Sequence, residues 1–154
     1  MKLKLILLTL TVFFAAAAVC SADSPQMGTW KLNEAKSKIG PGGSKNHTVV
    51  YEAAGDMIKV TVDGTDANGQ ATHSEWTGKF NGRFYAVTGD ATSDMRSYRK
   101  ISNRILSLMA KKGNKITLTG RITVSADGKT RTVVTNGTDA NGKRVRTTAV
   151  YDKQ

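Results

Sequence analysis

The chain has 154 residues, 23 Lys and Arg against 12 Asp and Glu, and a single cysteine. That length bounds one domain, and one cysteine excludes a disulfide framework, so stability must come from a packed core. The formal net charge of +11 favours anionic partners, whether lipopolysaccharide, lipid head groups, polyanions or acidic ligands; the basic residues nevertheless form no long run, the pattern of charge that serves solubility.

The chain opens on MKLK, the apolar run Leu5 to Val19 and then small residues, which has the charge, length and end of a secretory signal peptide over residues 1–22. The apolar run is too short to span a bilayer comfortably. The small residues Cys20 and Ala22 place cleavage after CSA, before Asp23. AAVC loosely resembles the box before a lipoprotein cysteine, but Val19 fits that box poorly, so plain cleavage outweighs lipid attachment at Cys20. Cleavage removes Lys2 and Lys4 and leaves 21 basic against 12 acidic residues, a net charge of +9 on residues 23–154. The expectation is an exported, cysteine-free single domain, periplasmic or secreted, with no transmembrane segment.

GTWKL at 28–32 reads as a first strand, and the glycine-rich NEAKSKIGPGGSKN at 33–46 as a loop. No proline follows Pro41, and no stretch places apolar residues at helical spacing. MIKVTVD alternates, with Ile58, Val60 and Val62 on one face. SEWTGKF places Trp76 and Phe80 on one face either side of Gly78. KITLTGRITV is the clearest strand, with Ile116, Leu118, Gly120, Ile122 and Val124 inward against Lys115, Thr117, Thr119, Arg121 and Thr123.

Turn signals fall between such segments at 54–56, 66–69, 81–82, 88–94, 102–103, 112–114, 127–128 and 139–142. They separate nine strands from about His47 to Tyr151, and GTWKL makes a tenth. An open meander of that length exposes two edges and one uncovered apolar face. Closure into an all-β, antiparallel up-and-down barrel of about 8–10 strands without lid helices solves both, where a two-sheet sandwich needs crossover loops the chain lacks.

The hexapeptide GTDANG stands at 64–69 and again at 137–142. As a calcium loop it aligns Asp66, Asn68, Gly69 and Glu75 but puts Gly64 at the first ligand position, and the second copy adds Thr148 at the twelfth. As a duplication it matches almost nothing outside itself. It reads best as a hairpin turn used twice, with Asp accepting backbone hydrogen bonds and Gly69 and Gly142 in the left-handed conformation.

GTWKLN at the first strand resembles the opening of the lipocalins and fatty-acid-binding proteins, and TTAVYDKQ the closing strand of the latter. GTWKLNEAKSK with GPG, AAGD, VDGTDANG and VYDKQ is similar to small exported bacterial lipocalin-like proteins of the calycin type. The resemblance implies a barrel with Trp30 plugging one end beneath a late-strand arginine, for which Arg121, Arg131, Arg144 and Arg146 are all candidates. It departs from fatty-acid-binding proteins at 33–46, too short for two lid helices. It departs again at Ala149, where their Arg-x-Tyr has its arginine beside the residue matching Tyr151.

Tyr51, Trp76, Phe80 and Tyr151 are the candidate lumen-lining residues, rings suited to a small hydrophobic or amphipathic ligand, with filling of the barrel as the alternative role. His73 and Glu75 share the strand face opposite Trp76, a spacing that permits a metal or proton-transfer pair but places it in solvent. His47 has no evident partner. There is no cysteine after the leader, no HExxH, no phosphate-cradling loop and no GxSxG, so no enzyme, cofactor, metal site or specific nucleic-acid partner is expected. The expected function is ligand binding in the lumen, its mouth formed by strand ends and the 33–46 loop. The alternative is an interaction module that presents a basic barrel exterior to an anionic envelope surface.

Overall fold

The computed structural model describes residues 24–40, 43–138 and 143–154. The leader at 1–22 with Cys20, its cleavage site before Asp23, Pro41, and the second DANG turn with Gly142 lie outside the described residues. The chain forms β1 (Gly28–Leu32), β2 (Lys45–Ala54), β3 (Met57–Thr65), β4 (Ala71–Gly78), β5 (Asn81–Thr88), β6 (Met95–Ser102), β7 (Ile105–Lys112), β8 (Lys115–Val124), β9 (Thr130–Thr138) and β10 (Arg144–Lys153). Each strand is antiparallel to its chain neighbours, and β10 returns to β1 to close a ten-stranded up-and-down barrel. Among the described residues there is no α-helix, and none long and apolar enough to cross a membrane.

The period of two in the sequence becomes an inside and an outside. Val60 and Val62 in β3, Leu106 and Leu108 in β7, and Ile122 and Val124 in β8 are buried, while their odd-numbered or even-numbered neighbours face solvent or the outer wall. Because the wall closes on itself, the inward side chains of opposite strands meet, and one continuous core forms around Trp30, Tyr51, Trp76, Tyr98 and Tyr151. Closure also removes the unpaired edges that a ten-strand meander would otherwise expose.

Of the four register shifts among the described residues, two move side chains from their expected places. Ile116, expected inward, is exposed: the β7–β8 register steps from Ala110↔Leu118 to Lys111↔Ile116, and the extra residue turns Ile116 out of the core. Asn81-Gly82, expected as a turn, instead begins β5, where Gly82 takes φ +80° and the pairing shifts between Asn81 and Phe84. The chain reverses one step earlier, so Phe80 sits in the β4–β5 turn and not on a strand.

Residues 33–38 join the wall. They hold a single 3-10 turn at Glu34–Lys36, capped by the Asn33 side chain. Asn33 Nδ2 then donates to Asp152 Oδ2 at 2.6 Å, Ser37 Oγ accepts from Val150 N, and Lys38 bridges to Thr148. β1 is half the length of β10, so residues 33–38 complete the pairing that the short strand leaves open.

Candidate functional site

Five aromatic side chains gather inside the barrel. Tyr98 of β6 is the hub: its ring lies 4.7 Å from Trp76, 5.8 Å from Phe80 and 6.3 Å from Tyr51, centroid to centroid. Trp76 also stacks on Phe80 at 6.4 Å and meets Tyr85 edge-on at 5.8 Å. Edge-to-face contacts of this kind add about 0.5–1.5 kcal/mol each beyond the area they bury. The Trp76 indole N–H is satisfied by the Arg96 carbonyl at 2.9 Å.

Backbone geometry makes room for this cluster. A Cβ on Gly78 would lie 2.6 Å from both Trp76 and Tyr85, so the missing side chain is the space the two rings occupy. Beside it the wall is thin: β4 and β5 pair only at Glu75↔Thr88 and Trp76↔Val87. Thr77 and Gly78 are unpaired with β5, and Phe80 and Tyr85, both only half-buried, flank this unpaired end of the hairpin.

The opposite flank of the core is built on Arg131. Its guanidinium lies 4.5 Å from the Tyr51 ring, 5.6 Å from Tyr151 and 5.8 Å from Trp30, and Nη2 donates to the Tyr51 hydroxyl at 2.8 Å. Of the four arginines that could have packed on Trp30, strand parity selects this one: Arg131 points inward on β9, whereas Arg121, Arg144 and Arg146 point out. Arg131 also faces Tyr151 directly in the β9–β10 register, while Ala149 faces Val133, so the arginine beside Tyr151 comes from the neighbouring strand.

The Trp30 indole donates to the Gln26 carbonyl at 2.9 Å, which folds the segment before β1 over this end. The amide group of Gln26 and the Nε and Nη1 of Arg131 are buried without a protein partner, and no carboxylate pairs with the guanidinium among the described residues. Burial pushes the Tyr51 phenol up, partly offset by Arg131, and burial does the same to Tyr151. Both therefore remain neutral hydroxyls at ordinary pH.

Toward the other end of β6, the β5–β6 loop folds inward. Asp90 Oδ2 accepts from Arg96 Nη2 at 2.7 Å and from Ser93 Oγ, and Oδ1 accepts from the Thr92 amide at 2.9 Å. Burial works to raise the Asp90 carboxyl, but the bonds from Ser93 and Thr92 and the Arg96 cation together hold it below its ordinary value.

The structure thus joins Tyr51, Trp76 and Phe80 through Tyr98, and places Tyr151 apart from them, across Arg131. Sequence reasoning missed Tyr98 because MRSYRKIS flanks it with charge, leaving no apolar alternation to follow. Gln26 precedes the first strand, where no periodicity operates. The His73 and Glu75 pair lies outside, as its parity implies, and gains Asp63: His73 Nδ1 is 2.7 Å from Asp63 Oδ1, and Glu75 pairs with Lys59 at 2.6 Å. Hydrogen bonding to Asp63 raises the His73 pKa. His47 Nε2 meets Thr65 Oγ1 at 3.1 Å. Among the described residues no three His, Cys, Asp or Glu side chains are placed to hold a metal ion.

The first GTDANG is a turn. Asp66 Oδ1 accepts from the amides of Asn68 at 2.8 Å and Gln70 at 2.9 Å, and Gly69 takes φ +78°. Gly64 serves a different purpose within β3, where a Cβ would strike the Lys45 carbonyl beside the β2 bulge.

These features define a closed, ten-stranded antiparallel barrel with an aromatic interior, an arginine at one flank and a thin wall between β4 and β5. Compared with known protein families and with characterised proteins, the chain matches none of either.

Proposed function

We propose that the protein is an exported, lipocalin-like carrier or sensor that binds a small hydrophobic or amphipathic molecule among the inward aromatic side chains. The observation that carries this reading is the β4–β5 break, where two paired positions give way to half-buried Phe80 and Tyr85 over buried Trp76. A wall that stops pairing over rings offers a route for an apolar guest, because entry there needs side-chain rotation and not the rupture of a backbone ladder. Edge-on aromatic surfaces then offer contact area with little conformational entropy to lose. The unpaired donors of Arg131, beyond Tyr51, suit a guest with one polar end.

The test is to purify the protein from the compartment in which it matures, extract it with organic solvent and identify released molecules by mass spectrometry. In parallel, an apolar fluorescent probe is titrated while the emission of the two tryptophans, Trp30 and Trp76, is followed. A stoichiometric extract, or saturable quenching lost in Phe80→Ala, is expected. An empty protein with no saturable quenching overturns the reading.

A further inference from the structure

The wall formed by β8, β9 and β10 carries a feature of its own. Two adjoining hollows, one of about 500 Å³ on its outer face and one of about 470 Å³ that also reaches inward-facing Leu118 and Val145, share Thr119, Asn136 and Arg146. Register explains the row: Thr119 pairs with Asn136, which pairs with Arg146, and one step along the ladder Arg121 stands beside Val134. The hollows extend from the Ile116 level to Thr123, roughly 20 Å at about 3.3 Å per residue.

The charge on this wall is one-sided. Arg121, Arg144 and Arg146 line the hollows, all three exposed and, among the described residues, without a carboxylate partner, whereas Lys36, Lys45, Lys59, Lys79 and Arg96 each pair with an acid. β8 and β9 contain no acidic residue, and β10 has only Asp152, at the far end and bonded to Asn33. Thr119 and Asn136 stand among the arginines, Val134 beside Arg121 and Thr132 beyond it.

We propose that this groove binds a linear acidic polysaccharide, with Arg121 and Arg146 pairing its carboxylate or sulfate groups and the threonines and Asn136 meeting its hydroxyls. Guanidinium forks match such oxyanions in a bidentate manner, and short polar side chains match sugar hydroxyls. The groove holds no aromatic side chain on which a base could stack, which disfavours single-stranded nucleic acid. The inference is independent of ligand binding in the lumen, since none of these arginines points inward.

The probes are oligogalacturonate and a heparin oligosaccharide, titrated against the folded protein at low and at physiological salt. Binding that weakens with salt is expected, with a loss of roughly tenfold or more in Arg121→Ser/Arg146→Ser. Arg83→Ser/Arg104→Ser removes the same charge from exposed positions elsewhere and is expected to change affinity by about twofold at most. Thr119→Glu, which keeps every arginine but sets an acid in the groove, should also abolish binding, and near-UV circular dichroism verifies each fold. Equal losses in the two double variants, no binding by the unaltered protein, or tighter binding to single-stranded DNA or to anionic lipid vesicles would each overturn the proposal.

Discussion

Arg131 donates to the hydroxyl of Tyr51 across the interior of the barrel, 2.8 Å from nitrogen to oxygen and 80 residues apart in the chain. The pair is buried, its Nε and Nη1 donors are without a protein partner, and among the described residues no acid neutralises it. Its strength comes from one hydrogen bond and three surrounding rings.

Tyr51→Phe should therefore destabilise the fold by roughly 1–3 kcal/mol, because it strips a buried cation of its protein hydrogen-bond partner. Arg131→Met in that background should recover much of the loss, since an uncharged chain of similar volume carries no desolvation cost. Urea unfolding of both single variants and the double variant closes the cycle. Strict additivity would show that the two side chains do not act together.

Gly78→Ala introduces a Cβ 2.6 Å from Trp76 and Tyr85. Overpacking of this kind costs about 1–3 kcal/mol, and the near-UV dichroism of Trp76 should change with it. Gly55→Ala is the comparison: it has open space but φ +63°, so only backbone strain of about 1 kcal/mol is expected, with no spectral change. Thermal denaturation and near-UV spectra of the two variants distinguish packing from strain.

Asp90 supplies a pH dependence of definite sign. Its carboxyl is held below the ordinary value, so its contribution is present above the unfolded pKa, near 3.8, and fades as pH falls through the depressed folded pKa. Asp90→Asn should be less stable than the unaltered protein at neutral pH, and the gap should shrink in strong acid. Urea midpoints across the range from about pH 7 to about pH 2 measure it, and a constant gap would contradict the assignment.

Asp66→Ala removes the acceptor for two turn amides. Because the turn is exposed and water can replace part of what is lost, the cost should be about 1 kcal/mol. Amide exchange at Asn68 and Gln70 should accelerate, while that of Val60 and Val62 in the core should follow only the global change.

The hydrophobic alternation of the chain, its turn residues and the absence of helical spacing determined the barrel by themselves. They did so because a period of two encodes two faces locally, and Gly, Asn and Asp act within a few residues. The inward face of Trp76 and the left-handed Gly69 were legible for the same reason. Tertiary structure alone decided the rest. One extra residue in the β7–β8 ladder turned Ile116 outward, and the short β1 drew residues 33–38 into the wall. The contact between Arg131 and Tyr51, the Tyr98 hub and the alignment of Thr119, Asn136 and Arg146 depend on the register between strands. Register is fixed by closure of the whole sheet, in which every strand constrains the next, and no local window of sequence contains that condition.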